Sequence, residues 1–312
     1  MTYAIVARDP VAGEIGAAVQ SHFFNAAAVV LWSEAGTGVV ATMAMAEIAY
    51  GRLGLDLLRQ GVSAESALEQ LLRRDPLAAI RQVAMIGIHG RCAGYTGKAC
   101  IPAAGQCAEE NVVALGNMLT RDGTWDQMVE AFHDTKGTLA ARLLAAMRAA
   151  EAFGGDIRGV QSAGLVVVSA KAEAHTTEQS AFASAPRIDL RVEDHAAPLA
   201  ELQRLLELDS FYKDLLGLLK MPGLFAGTID AAEPQRQAAI ATLAHGQRLL
   251  GENQEATFWL AVLLARMGEM SDARLQFAAA VRVHPPLREM ASRLVGAGML
   301  TTAQSVALAT ER

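Results

Sequence analysis

Apolar and polar positions alternate almost from the first residue. The run Tyr3, Ile5, Val6, Ala7 behind Thr2 has the period of a half-buried strand and predicts one over 2–8. Arg8-Asp9-Pro10, with Gly13 close behind, reads as a turn, and "EIGAAVQS" predicts a second strand over 14–21. "GTGVVATMA" predicts a third over 36–44. The period then lengthens. Leu53, Leu57 and Leu58 fall at helical spacing in "AYGRLGLDLLRQG", with Gly61 as the stop, and Ser63 opens a second helix that Arg73 and Arg74 close. Strands are predicted again over 81–90, 92–97 and 111–119, helices over 122–134 and 137–153 with Gly154 and Gly155 ending the latter, and strands over 162–170 and 187–194. Paired helices between blocks of strands imply antiparallel sheets with helices outside, rather than the strict alternation of a parallel sheet.

From residue 198 only helical periodicity remains. This divides the chain into an α+β domain over 1–197, a helical linker over 198–222 punctuated by Pro222-Gly223, and an all-α domain over 223–312. Within the last, Ala261, Gly268, Ala273, Phe277, Ala280 and Pro285 follow the spacing of a tetratricopeptide unit. Small residues let paired helices approach, the glycine turns the chain and the proline ends the second helix. The early tryptophan position holds Thr257, with Trp259 two residues on. One such unit cannot bury its own faces, so flanking helices or the first domain are expected to cover it. The segment reads either as an extra module for contacts within or between subunits, a homodimer included, or as a groove for a protein partner.

Composition narrows the class. The chain has 312 residues, 52% of them hydrophobic, and a formal charge of −6 with no cluster of lysine and arginine. A nucleic-acid partner is not expected, because duplex binding concentrates positive charge. No apolar run reaches membrane-spanning length without a charge, and no basic patch with an apolar stretch of signal-peptide type opens the chain, so a cytoplasmic protein is expected. Cys92, Cys100 and Cys107 match no zinc spacing and read as small buried thiols. The histidines form no HxH or HExxH pattern, and no dinucleotide, phosphate-loop or nucleophile-elbow motif occurs. No metal or cofactor is expected.

The candidate chemistry starts at Thr2. Removal of Met1 before a small residue would leave a free amine and a hydroxyl on one residue. An α-amine of pKa about 8 can serve that hydroxyl as general base near neutral pH. Many chains begin Met-Thr without such a role. Elsewhere, "GGDIRGVQSAG" sets Asp156, Arg158, Gln161 and Ser162 ahead of an apolar strand, and "LGNML" sets Gly116 and Asn117 at a strand end. Asn117, or a backbone N–H freed by Gly116, is the type of donor an oxyanion needs; an asparagine filling a turn is the competing reading. Arg8 and Asp9 are either a turn pair or groups that orient the amine.

The segments "MTYAIVARDPVAGEIGAAVQS", "YTGKACIP", "LGNML", "GGDIRGVQSAGLVV" and "IDLRVEDH" resemble those of an uncharacterised prokaryotic family assigned to the N-terminal nucleophile (Ntn) hydrolase superfamily. The resemblance covers residues 1–210. It implies a four-layer αββα sandwich and cleavage of an amide-type bond by an N-terminal Thr, Ser or Cys without a cofactor. It further implies that Asp156 and Ser162 help to hold the free amine of Thr2, against the plain reading of a turn with a structural Asp156–Arg158 pair. Arg158, Gln161, His22 and Gly116 then line a substrate site. His22 stands where the family commonly carries lysine, and Met43 and Glu47 replace more usual polar residues. Two functions are therefore expected in competition: hydrolysis of a C–N bond in a small molecule through an acyl-enzyme on Thr2, or a non-catalytic scaffold that binds through its C-terminal helices.

Overall fold

The computed structural model describes residues 2–89, 91–171, 187–225 and 227–310; Met1 and His175 lie outside them. The chain forms two compact units, which divide between Leu205 and Leu206.

The first unit holds two antiparallel sheets. Strands β1 (Thr2–Asp9), β2 (Glu14–Ser21), β7 (Gly105–Glu109), β8 (Val112–Asn117), β9 (Ser162–Ser169) and β10 (Ile188–Val192) make a six-stranded sheet in the order β10-β9-β2-β1-β8-β7. Strands β3 (Leu31–Glu34), β4 (Gly38–Ala44), β5 (Arg81–Gly87) and β6 (Ala93–Thr96) make a four-stranded one in the order β3-β4-β5-β6. Their facing sides interleave Ala4, Val6, Ile15 and Val19 from one sheet with Val39, Ala41 and Ile86 from the other. Helices α2 (Ala49–Arg59) and α3 (Ala64–Arg73) cover the outer face of the four-stranded sheet through Leu55, Leu58, Leu68 and Leu71 over Val40, Val83 and Met85. On the far side, α4 (Thr124–Asp134) and α5 (Leu139–Ala152) lie against β8 and across β1, β2 and β9. A short helix α1 (Ala26–Val30) joins β2 to β3.

Local chemistry accounts for the boundaries. Asp9 Oδ1 accepts the N–H groups of Val11 and Ala12, both at 2.9 Å, and Gly13 takes φ 64, so the β1–β2 link turns on an aspartate and a glycine. Ser63 Oγ accepts the N–H of Ser66 at the start of α3, a cap of about 1 kcal/mol. Gly154 and Gly155 follow α5 at φ 128 and 56, conformations that only glycine adopts cheaply.

Three sequence expectations change. The segment 26–34, given no element, is a helical turn and an edge strand; its continuous apolar run "AAAVVLW" has no period to separate the two. Strand β7 falls where the sequence predicts no element, because "GQCAE" carries no β-branched residue. Leu53 is exposed rather than buried: α2 instead turns Gly51 and Gly54 inward, letting its backbone rest on Trp32 and Val40.

The second unit is helical, with α6 (Pro198–Lys220, which carries the division), α7 (Glu233–Leu250), α8 (Glu255–Met267), α9 (Met270–Val283), α10 (Leu287–Gly296) and α11 (Thr302–Ala309). Helix α8 is buried on all sides from Ala256 to Ala265. It pairs with α9 through a turn at Gly268 (φ 85), and Ala261, Ala273, Phe277 and Ala280 are all buried. Phe211 and Leu215, from the segment expected to be a linker, belong to this core. Phe225 and Trp259 meet edge to face at 5.6 Å. Among the described residues no helix is long and apolar enough to cross a membrane.

Candidate functional site

On its four central strands the inner face of the six-stranded sheet is aliphatic except at one end. Ala4 and Val6 on β1, Val19 on β2, Leu115 on β8 and Val166 on β9 face the other sheet. A period of two puts Thr2, Ser21, Asn117 and Ser162 on that same face at the strand ends. The register aligns them into one row across four strands: Ser162 opposite Ser21, Ser21 opposite Thr2, Thr2 opposite Asn117. All four are buried, between 0 and 7% exposed. Buried polar groups need partners, and these have them. Thr2 Oγ1 and Ser21 Oγ share a hydrogen bond of 3.0 Å.

From the facing sheet, Gln82 is fully buried against this row. Its Oε1 accepts Asn117 Nδ2 at 2.9 Å, and its Nε2 donates to the Gly116 carbonyl at 2.8 Å, to Thr96 Oγ1 at 2.9 Å and to the Gly105 carbonyl at 3.0 Å. Asn117 Nδ2 also donates to the Thr2 carbonyl, at a longer 3.4 Å. A cavity of about 650 Å³ opens beside this corner between β6 and β7, with Thr96 and Gly105, both bonded to Gln82, in its wall, and with Lys98, Cys100 and Asp122. Behind the row, Tyr3 Oη and Gln20 Nε2 each donate to Glu151 Oε2 at 2.7 Å, pinning the last turn of α5 under the start of β1. Burial and the Glu151 charge push the Tyr3 phenol well above its ordinary pKa, so it remains a donor.

Asp156 and Ser162 fasten the loops beside the row. The Asp156 carboxylate, whose side chain is wholly buried, accepts the N–H of His22 at 3.1 Å and of Arg158 at 2.9 Å and pairs with the Arg158 guanidinium at 3.2 Å. Ser162 Oγ donates to the Phe23 carbonyl at 2.6 Å and accepts the N–H of Ala26 at 3.0 Å. Both therefore hold the 22–26 turn, and the residue that touches the Thr2 hydroxyl is Ser21. Gln161 Nε2 donates to Asp194 Oδ1 at 3.1 Å. Gly116 lies mid-ladder opposite Tyr3 and Gly105, where a Cβ would come within 2.5 Å of Leu119. His22 and Arg158 are exposed at the rim. Arg8 and Asp9 are excluded from any role at Thr2: they stand at the opposite end of β1, about 20 Å away at 3.3 Å per residue. There Arg8 binds Asn111 and the Ile88 carbonyl.

Backbone strain marks the same end. Among the described residues, the non-glycine residues with positive φ are Asn25 (48°), Ala44 (65°), Ala103 (53°) and Met118 (52°). They sit in or beside the loops that leave β2, β4 and β8 and the loop that enters β7, all at the Thr2 end. At the far end the β1–β2 and β3–β4 turns use glycine instead, Gly13 and Gly36. Such conformations cost on the order of 1 kcal/mol or more outside glycine and asparagine, and they gather at functional sites. Among the described residues no three His, Cys, Asp or Glu side chains gather as metal ligands.

The sequence singled out Thr2, Asn117 and Ser162, which the register brings into one row, and Asp156, which secures its edge. It passed over Ser21, Gln82, Tyr3 and Glu151. Ser21 was recoverable by counting outward from the 10–13 turn, since Asp9 opposite Glu14 requires Thr2 opposite Ser21. Gln82 carries no local signal; it joins the site only when the two sheets meet.

A two-sheet α/β unit with a polar row at one end and an appended helical unit defines the class. Residues 2–202 match the Family of unknown function (DUF1028), and the chain belongs to that family. It is similar to protein SPO2555 from Silicibacter pomeroyi, a protein of the same family with a crystal structure: identity is 29%, the match covers 67% of this chain and 86% of that one, and the TM-score is 0.59. No curated protein matches the chain.

Proposed function

We propose that the first unit is an Ntn-type amide hydrolase, a four-layer αββα sandwich whose nucleophile is Thr2 once Met1 has been removed. The observation that carries this reading is the buried row: the Thr2 hydroxyl leads the first strand, bonded to Ser21, where the aliphatic inner face of the four central strands turns polar. In this mechanism the α-amine of Thr2 takes the hydroxyl proton as Oγ1 attacks the substrate carbonyl. The C–N bond breaks as the amine passes that proton to the leaving nitrogen, and water then hydrolyses the ester. Ser21 orients Oγ1. Asn117 Nδ2, whose contact to the Thr2 carbonyl is the weaker of its two, turns to the oxyanion while Gln82 holds its other N–H. Asp156 and Ser162 act through the 22–26 turn. The chemistry calls for neither metal nor organic cofactor, and the substrate is a small molecule met in the cytoplasm.

The test is a β-lactone label followed by peptide mapping. The adduct is expected on Thr2 of a protein whose intact mass lacks Met1, and the Thr2→Ala protein should take none. Retained Met1, or equal labelling of Thr2→Ala, refutes the mechanism.

A second reading has one observation behind it. A groove of about 1080 Å³ between α9 and α11 sets Arg274, Arg282 and Arg288 around Leu275, Phe277 and Val281. On that reading the second unit is a tetratricopeptide-like module that takes an acidic segment of a protein partner, a second copy of the chain included. Loss of association in Arg274→Glu/Arg282→Glu checks it.

A further inference from the structure

Among the described residues of the first unit, exposed large apolar side chains gather around the Thr2 end; Val11, Leu53 and Leu77 are exposed singly elsewhere. Phe23, Phe24, Met45, Ile48, Ile101 and Ile157 are each 50 to 66% exposed. Phe23 and Phe24 follow Ser21, Met45 and Ile48 follow Ala44, Ile101 lies in the loop before β7, and Ile157 in the loop before Ser162. At the opposite end, among the described residues, only Val11 in the 10–13 turn is comparable.

Hydrogen bonds join these loops into a rim. The Met118 N–H donates to the Ile101 carbonyl at 3.3 Å, and the Ile157 N–H donates to the Met118 carbonyl at 3.5 Å. Asp156 next binds the His22 N–H, and Ser162 binds the Phe23 carbonyl. Ile101, Met118, Ile157 and Phe23 thus follow one another beside Asn117 and Thr2 on a backbone that two left-handed residues, Ala103 and Met118, help to shape. Exposed apolar groups gathered in one place mark a binding surface. Here they border a polar centre, with His22, Lys98 and Arg158 exposed among them. A ligand that satisfies both zones has a polar reacting group at one end and an apolar body at the other.

We propose that the amide cleaved at Thr2 is that of an apolar carboxylic acid, whose acyl chain rests on the collar formed by Phe23, Phe24, Met45, Ile101, Met118 and Ile157. This rests on the hydrolase reading above and names its substrate class. The acyl group is the part that stays bonded to Thr2 Oγ1 after the amine leaves, so the collar holds it through both halves of the reaction.

The experiment compares acetyl and hexanoyl 4-nitroanilides, which share a leaving group and differ by four methylenes. A buried methylene is worth about fourfold in affinity, and a chain lying on a one-sided collar gains roughly half of that free energy. The kcat/KM of the hexanoyl substrate should therefore exceed that of the acetyl one by about tenfold or more, and Ile101→Ser/Ile157→Ser should bring the ratio towards one. Equal rates for the two substrates overturn the inference and leave the hydrolase reading standing. If neither anilide is cleaved, the hydrolase reading falls and calorimetry with hexanamide and acetamide decides: selective hexanamide binding, lost in the double variant, keeps an apolar ligand at the collar, and no binding removes it. A dimer that the double variant splits while the chain-length ratio stays unchanged assigns the collar to a second copy and overturns the inference.

Discussion

Gln82 is the side chain on which the two sheets meet at the site, and replacing it with leucine isolates its hydrogen bonds at nearly constant volume. Two fully buried groups lose their short bond to Gln82: the Gly116 carbonyl, held at 2.8 Å, and Asn117 Nδ2, held at 2.9 Å and left with its longer 3.4 Å contact to the Thr2 carbonyl; the half-buried Gly105 carbonyl loses a third, at 3.0 Å. Thr96 Oγ1 loses less, because it also donates to Gln106 at 2.9 Å. A buried polar group left unpaired costs about 1–3 kcal/mol, so the two together cost about 4 kcal/mol, a large part of a typical domain's stability of roughly 5–15 kcal/mol. Hydrogen exchange read by mass spectrometry on peptides from β1 and β8 measures this within the first unit. Where exchange proceeds through unfolding of that unit, about 4 kcal/mol corresponds to roughly a thousandfold faster exchange. Gln82→Ala should be faster still, because it adds a cavity to the same losses. Acceleration of less than about tenfold in Gln82→Leu would mean that water or a neighbouring group takes over both contacts, and the account of Gln82 as the tie between the sheets would be wrong.

Other consequences follow from single contacts. Gly51→Ala reverses the usual sign of a helix substitution: a Cβ there falls within 2.2 Å of the Trp32 ring, so in place of a gain of up to about 1 kcal/mol the variant should lose about 1–3 kcal/mol in urea unfolding. The Asp75 carboxyl is held below its usual range chiefly by the Arg81 guanidinium, at 2.8 Å, with help from the N–H of Leu77 and the Tyr50 hydroxyl against the cost of burial. Its folded-state pKa lies under the unfolded value, so its stabilisation is present above about pH 4 and lost as pH falls through the folded value. The gap in urea midpoint between wild type and Asp75→Asn should accordingly be wide near neutrality and narrow at about pH 3; an unchanged gap contradicts the pairing. Burial first, and then the hydrogen bond and charge of Asp126, raise the Cys107 thiol to about 11, so iodoacetamide should alkylate it near neutral pH on the order of a hundredfold more slowly than a free thiol.

Much of the fold was legible because its elements announce themselves locally. Period-two runs such as Thr2–Asp9 and capped amphipathic stretches such as Ala64–Arg73 carry their own boundaries. What escaped depends on neighbours. Strand β7 has only glycine, glutamine, cysteine, alanine and glutamate to offer, and it is a strand because Gly105–Glu109 pairs with Val112–Gly116 across a tight link. Leu53 looked like a core residue because period counting treats glycine as neutral, whereas α2 turns its glycines to Trp32 and Val40 and leaves the leucine outside.

The site divides along the same line, and the division explains the roles of its residues. Thr2, Asn117, Asp156 and Ser162 stand at strand ends or in the turn before a strand, where a polar residue interrupting an apolar pattern is visible in one dimension. Whether such a residue faces the Thr2 hydroxyl or secures a loop depends on its partners: His22 and Arg158 for Asp156, Phe23 and Ala26 for Ser162. The loops so secured carry the left-handed Asn25 and Met118. That conformation is unfavourable for a residue with a Cβ and persists only where surrounding bonds over-determine it. Asp156 and Ser162 supply such bonds, so removing either should relax the 22–26 turn and release the rim before it touches the Thr2 hydroxyl. Asp156→Asn should therefore speed amide exchange at residues 22–26 more than at the 10–13 turn. Equal exchange at both turns would refute the role of Asp156 in securing the 22–26 turn.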